Sequence, residues 1–238
     1  MGIRTPRKKP RNLTLALVYR LHRLLPMSTK AKLKWYLDLE WAFDRLAMEM
    51  AFKHYPAATH PFRRKALEFL LPRIRSEDVV LDLGCNKGDV GAAIAGRAKE
   101  VVGVDHDAVA IATAQRLHQI PNLSFHHGDA LEHLRTNTKR YDVLVLSHIL
   151  EHLDDPEAFL RAFKDFFTRI YIELPDFDRS YLNLYRLDRG STLVYTDDDH
   201  ISEFDRDELR ALLEKCGIRI VEAEYRYGVQ RLWCDVVK

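Results

Sequence analysis

Short apolar runs of strand length alternate with amphipathic, helix-length stretches from Val79 to Leu174. The strand-like runs are Val79–Leu83, Val101–Val104, Leu123–His126, Val143–Leu146 and Ile170–Leu174. Between them the spacing predicts helices over Val90–Ala98 and Ala108–His118, a short helical piece around Leu131–Leu134, and a helix over Pro156–Phe167. Strands that are apolar almost throughout, separated by helices, predict a parallel sheet covered on both faces. After Pro175 the pattern lapses, and Asp176 to Phe204 is polar and aromatic without a clear period. A helix over Asp205–Lys215, stopped by Gly217, then leads into two strands, Ile218–Tyr225 and Gln230–Val237, with Tyr227-Gly228 near their turn.

The first third of the chain reads differently. Leu13, Leu17, Leu21 and Leu24 recur at helical spacing with Arg20 and Arg23 among them. Lys32 to Phe52 predicts a second helix, rich in aromatics such as Trp35, Tyr36, Trp41 and Phe43. Pro56 and Pro61 interrupt, and Phe62 to Ile74 predicts a helix leading into the first strand. The expected organisation is a basic arm and helical extension over 1–75, a sheet domain over 76–238, and an insertion at 176–204 that covers the substrate.

Composition narrows the class. Apolar residues make up 47% of the 238, enough for a sizeable core, and the net charge of +2 does not demand a nucleic-acid partner. The charge is unevenly spread: Arg4, Arg7, Lys8, Lys9 and Arg11 crowd the start, and Asp197, Asp198 and Asp199 form an acidic run. A basic arm ahead of an amphipathic helix, residues 4–25, either lies on an anionic membrane surface or packs on the domain or a neighbour. Cys85, Cys216 and Cys234 form neither a disulfide framework nor a zinc spacing, which points to a reducing compartment. No run reaches membrane-spanning length and no signal peptide is evident, so the expectation is a cytoplasmic protein, with peripheral membrane contact as the variant.

The chemistry starts at Val79-Val80-Leu81-Asp82-Leu83-Gly84-Cys85-Asn86-Lys87-Gly88-Asp89. A strand ending in an acid, a glycine loop and a helix start together hold a nucleotide-like ligand against backbone N–H groups. Asp105 ends the second strand beside that loop and either accepts both hydroxyls of a ribose or caps the next helix, a role for which Asp107 competes. Counted from Gly84, the dinucleotide pattern G-x-G-x-x-G lacks two of its three glycines, having Asn86 and Asp89 there.

Asp82 followed by Gly84, Asn86 and Gly88 resembles instead the acid and G-x-G-x-G of the class I S-adenosylmethionine-dependent methyltransferases, with one glycine replaced by Asn. Gly128-Asp129-Ala130 after the third strand and Tyr141-Asp142-Val143-Leu144-Val145-Leu146 at the fourth carry the same resemblance, which runs from about Val79 to the C-terminus. It implies an α/β, Rossmann-like seven-stranded sheet of order 3-2-1-4-5-7-6 whose last strand is antiparallel. It implies S-adenosylmethionine as the cofactor, bound by Asp82, Gly84, Cys85, Asn86, Gly88, Asp105, His106, Asp129, Ala130 and Ser147. Asp129 would meet the adenine amino group, and Ser147-His148 would flank the methionine end.

The acceptor side centres on Ser147-His148-Ile149-Leu150-Glu151-His152-Leu153. As a pattern, His148-x-x-Glu151-His152 is an inverted zinc-protease motif, but that motif needs a long helix and here the triplet closes a buried strand. Many small-molecule methyltransferases carry a similar Glu-His-Leu, where it orients the loop. RNA 3′-terminal 2′-O-methyltransferases carry a metal cluster there, which His148, Glu151, His152 and His200 resemble. That cluster would hold a divalent metal, zinc, manganese or magnesium, and its imidazoles suit zinc or manganese better. Without a metal, His148 or His152 is the expected catalytic base, with His200 either reaching in or capping the helix at Asp205. The insertion carries Phe177, Tyr181, Tyr185, Leu187, Leu193 and Tyr195 with Arg179, Arg186 and Arg189, which fits a ring, a charged sugar or stacked bases. The expected activity is O-methylation of a small-molecule acceptor, a quinone or phenol, or of a glycan. The alternatives are a metal-dependent RNA 2′-O-methyltransferase and a non-catalytic S-adenosylmethionine-binding activator subunit.

Overall fold

The computed structural model describes residues 13–137, 139–191, 193–194, 197, 199–237. The basic arm residues Arg4, Arg7, Lys8, Lys9 and Arg11, together with Tyr195 and Asp198, lie outside the described residues. The chain forms two compact units that meet in sequence at Glu40 and Trp41. The boundary falls within the second helix, well before residue 75.

The first unit contains α1 (Leu13–Leu24) and the start of α2 (Thr29–His54). The two are tied by His22 Nδ1 to the Tyr36 hydroxyl at 2.7 Å and by Lys32 Nζ donating to the His22 carbonyl at 3.0 Å. Ser28 Oγ accepts the Ala31 N–H at 3.2 Å and starts α2. No residue of α1 is buried.

The second unit is built on seven strands: β1 (Val79–Leu83), β2 (Glu100–Asp105), β3 (Leu123–His127), β4 (Val143–Ser147), β5 (Arg169–Pro175), β6 (Ile218–Arg226) and β7 (Val229–Val236). Their order is β3-β2-β1-β4-β5-β7-β6, as the family resemblance implies. β1 to β5 run parallel, and β7 is antiparallel to both β5 and β6. The helices are α3 (Pro61–Leu70), α4 (Asp89–Ala95), α5 (Ala108–Leu117), α6 (Ala130–Thr136), α7 (Pro156–Phe163), α8 (Leu182–Asp188) and α9 (Arg206–Lys215).

Successive strand residues point to opposite faces, and the core divides accordingly. Leu81, Leu144, Leu146, Ile170 and Ile172 pack with Leu160 of α7 and Leu209 of α9. Val80, Val101, Val143, Val145 and Tyr171 pack with Phe69 of α3 and Ile94 of α4. Most helix starts are fixed by acids. Asp107, Asp129 and Asp155 cap α5, α6 and α7, and Asp205 forms a capping box with Glu208 on α9.

At the N-terminal ends of the parallel strands, Asp78 takes a two-pronged hold on Arg169 at 2.6 and 3.2 Å. The Asp142 carboxylate accepts the Val79 N–H at 2.9 Å. These contacts leave the functional chemistry to the opposite, C-terminal ends, where ligands bind in open α/β sheets.

One helix was not expected. α8 lies inside the aperiodic insertion with reversed polarity: Asn183 and Arg186 are buried, while Leu184 and Leu187 are exposed. Asn183 Nδ2 donates to the Phe177 carbonyl at 2.7 Å and accepts from Arg186 at 2.9 Å through Oδ1. Asp44 of α2 binds Arg179 at 2.7 Å, and Arg45 approaches Asp197 at 3.5 Å, so the insertion is anchored to α2 within this unit.

Candidate active site

The loop between β1 and α4 takes the left-handed region at Gly84 (φ 69°), Asn86 (φ 47°) and Gly88 (φ 79°). At the two glycines a side chain would also collide with a neighbour, with Ile149 at Gly84 and with Phe125 at Gly88. Asn is the non-glycine residue that best tolerates the conformation between them. Because Ile149 sits directly over Gly84, the turn carrying His148, Glu151 and His152 touches the glycine loop.

The two readings of Asp105 separate here. Asp107 caps α5 by accepting the Val109 N–H at 2.8 Å, so Asp105 is not the cap. Asp105 instead accepts the Asn86 N–H at 2.8 Å on Oδ2 and the Asp107 N–H at 2.9 Å on Oδ1. Each oxygen keeps a further lone pair, which fits a vicinal diol. His106 beside it is almost fully exposed, its Nδ1 3.7 Å from Asp105.

Asp82 is buried, and its Oδ2 has no hydrogen-bond partner among the described residues. Burial pushes its carboxyl up to about 7; the Gly91 N–H opposes this and the charge of Asp105 adds to it. An acid in that state fits a cationic ligand group placed nearby. Cys85 is buried against Gly103, where a Cβ would lie 2.8 Å from its Sγ, and burial raises the thiol far above its ordinary value. It lines the loop as an inert apolar group. Asp129 spends Oδ1 on the Glu132 N–H at 2.7 Å, capping the helix that Ala130 begins, and remains exposed.

On the acceptor side, His148 is a non-glycine residue held at φ 56° just after Ser147 ends β4. Its Nδ1 lies 2.9 Å from Glu151 Oε1 and its Nε2 3.4 Å from Glu173 Oε1. Burial disfavours the imidazolium, but hydrogen bonds and charge from both carboxylates outweigh it and push His148 up to about 10. Both ring nitrogens therefore face carboxylates, an arrangement that favours the imidazolium.

Glu173 extends this network inward. Its Oε2 accepts from Arg231 Nε at 2.5 Å and from the Tyr171 hydroxyl at 2.8 Å, and Arg231 also binds Glu224 at 2.9 Å. Burial alone would raise the Glu173 carboxyl; His148, Arg231 and Tyr171 hold it below its ordinary value instead. Sequence reasoning missed Glu173, although it closes a buried strand as Asp82 and Asp105 do, and that signal would have found it.

The other three residues of the expected cluster do meet. Donor atoms of Glu151, His152 and His200 lie within 4.8 Å of one another. Glu151 Oε2 is buried and has no hydrogen-bond partner among the described residues. His152 Nδ1 lies 3.2 Å from the Asp199 carbonyl and His200 Nδ1 3.0 Å from Glu203 Oε1, contacts that orient both rings. His200 is thus not the cap of α9, which Asp205 supplies. The Ile201 and Ser202 N–H groups donate to the Glu151 carbonyl at 2.9 and 3.1 Å and fix the insertion against this turn. Phe62 of α3 flanks His148 at 6.3 Å between ring centres.

Comparison with known proteins identifies the domain. Residues 54–223 match the family described as a methyltransferase domain, which is most of the chain. Two curated relatives, each named ubiquinone biosynthesis O-methyltransferase, come from Sodalis glossinidius and Serratia proteamaculans; they are 35% identical over 86 residues and 31% identical over 108 residues. The matches cover 35% and 43% of this chain and 34% and 44% of the relatives, less than half of their length. The solved magnesium protoporphyrin IX methyltransferase from Synechocystis PCC 6803, with bound SAH, superposes with a TM-score of 0.55 at 17% identity. It covers 72% of this chain and 80% of its own, a likeness of fold. The chain belongs to the methyltransferase-domain family, and its sheet is that of the S-adenosylmethionine-dependent class.

Proposed function

We propose that the protein moves the methyl group of S-adenosylmethionine to an oxygen of a small aromatic acceptor, a phenol or quinol. The observation that carries this reading is the contact of Ile149 with Gly84, which sets the turn bearing His152 against the donor loop. The curated relatives named for ubiquinone biosynthesis support the acceptor class, as does Phe62 beside His148. When bound, the donor supplies an electrophilic methyl carbon on a sulfonium. Asp105 holds the ribose diol, the glycine loop seats the methionine portion with Asp82 and Ser147, and Asp129 and Ala130 border the adenine.

His152 is the base. Its Nδ1–H donates to the Asp199 carbonyl, which fixes the tautomer with the lone pair on Nε2. That nitrogen takes the acceptor's hydroxyl proton as the oxygen attacks in line with the carbon–sulfur bond. His148 stays protonated and braces the turn through Glu151 and Glu173. The described residues of the 176–204 insertion, anchored through Arg179 to Asp44, border the acceptor.

The orphaned Glu151 Oε2 favours a second reading, in which Glu151, His152 and His200 hold a zinc or manganese ion. Such an ion would lower the acceptor's pKa in place of a base. Glu203 on His200 and the Asp199 carbonyl on His152 resemble the outer-shell partners of metal-bound imidazoles.

The test is transfer of labelled methyl from the donor to a catechol, a glycan and an RNA, using the full chain before and after chelation, with elemental analysis of the protein. Label in the catechol with chelated, metal-free protein supports His152 as base. Loss on chelation, restored by zinc or manganese, supports the metal reading. Label only in glycan or RNA, or in none of the three, overturns the phenol reading.

A further inference from the structure

Beyond the transfer reaction, we propose that α1 and the basic sequence around it form a docking surface for an anionic lipid bilayer. Leu13, Leu17, Leu21 and Leu24 lie along one side of α1 and are 82%, 56%, 54% and 78% exposed. His22, on another side of the helix, meets α2 through Tyr36. The four leucines stay largely open to water. Water-exposed stripes of this kind mark an interaction surface.

Charge identifies the partner. The first 37 residues contain ten Lys and Arg and no Asp or Glu, the first acid being Asp38. Two of these cations, Arg20 and Arg23, sit on α1 itself, and Lys30, Lys32 and Lys34 follow on α2. An apolar stripe bordered by cations, without an acid to repel phosphate, is the pattern of a helix lying in the headgroup region. A protein partner would need an acidic rim around its apolar face to match this charge, whereas an anionic bilayer offers both together.

The twelve described residues of α1 extend about 18 Å at the α-helical rise, against a hydrocarbon core of about 30 Å. Among the described residues no helix is long and apolar enough to cross a membrane. α1 would thus lie in the plane of the surface. The exposed Tyr19 and Trp35 are of the types enriched at that depth.

The test is co-sedimentation of the full chain with phosphatidylcholine vesicles and with vesicles containing about 30% phosphatidylglycerol. The expected result is partition at least about tenfold stronger onto the anionic vesicles, falling about tenfold as salt rises from roughly 0.1 to 0.5 M. Leu17→Glu with Leu21→Glu should lower partition by about tenfold or more, with an unchanged melting temperature because both side chains are exposed. Arg20→Glu with Arg23→Glu keeps the leucines and should also weaken binding. Equal binding to neutral and anionic vesicles would overturn the proposal. So would unchanged partition of either double variant, or no vesicle binding by a chain whose self-association the leucine variant abolishes, since a second copy would then be the occupant.

Discussion

The parallel strands begin and end among acids, and the two ends treat them differently. Where the strands begin, Asp78 is matched to Arg169 and Asp142 to the Val79 N–H. Where they end, Asp82 Oδ2 and Glu151 Oε2 are buried without hydrogen-bond partners among the described residues, and His148 is wedged between two carboxylates. The backbone follows the same division: Gly84, Asn86, Gly88 and His148 all occupy the left-handed region at the C-terminal ends. Orphaned oxygens and left-handed non-glycine residues cost stability, and a fold retains them where a ligand completes the arrangement. Matched charge at one end stabilises; the orphaned carboxylate oxygens at the other await a cationic donor and an acceptor.

The largest expected effect breaks the stabilising end. Arg169→Met leaves Asp78 buried and unpaired, and should lower the unfolding free energy by about 3–5 kcal/mol in urea titration, with donor affinity unchanged. The next breaks the functional end. His152→Ala should lower kcat about 10²–10⁴-fold with donor affinity and melting temperature unchanged, as removal of a general base does. Unaltered kcat would move the base elsewhere.

A subtler difference should appear in proton counting. Asp82, raised to about 7, is partly protonated at neutral pH, and a cationic donor favours its ionised form. Donor binding near pH 7 should therefore release a fraction of a proton. Affinity should rise with pH up to about 7 and level off above it. Calorimetry in two buffers of different ionisation heat measures that release, and Asp82→Asn should remove it. The smallest effect is at Asn86, whose φ of 47° glycine adopts freely. Asn86→Gly should change stability and donor affinity by less than about 1 kcal/mol, measured by urea titration and calorimetry.

How far the sequence foretells this depends on whether burial followed apolarity. All seven strands lie within a residue or so of their expected positions, because each is a short run rich in apolar and β-branched residues bounded by helix or turn signals. The glycine loop was equally legible, since it joins a strand to a helix through glycines at short spacing. α8 was not, because its leucines face outward and its Asn183 and Arg186 inward, which inverts the signal. His148 was legible as a residue of this turn, but its surroundings were not. Its second carboxylate neighbour, Glu173, is distant in sequence and adjoins it only through the pairing of β4 with β5. The meeting of His152 with His200 is also tertiary, fixed by the backbone bonds from Ile201 and Ser202 to Glu151.

The central claim is that the C-terminal ends of β1 and β2 form the donor site, with Asp105 as its ribose clamp. Calorimetric titration of the intact chain and of Asp105→Ala with S-adenosylhomocysteine tests it directly. Two charge-assisted hydrogen bonds of about 1.5–3 kcal/mol each predict binding by the intact chain that falls about 10²–10⁴-fold in the variant, to below detection. Equal affinity of the two proteins would contradict it.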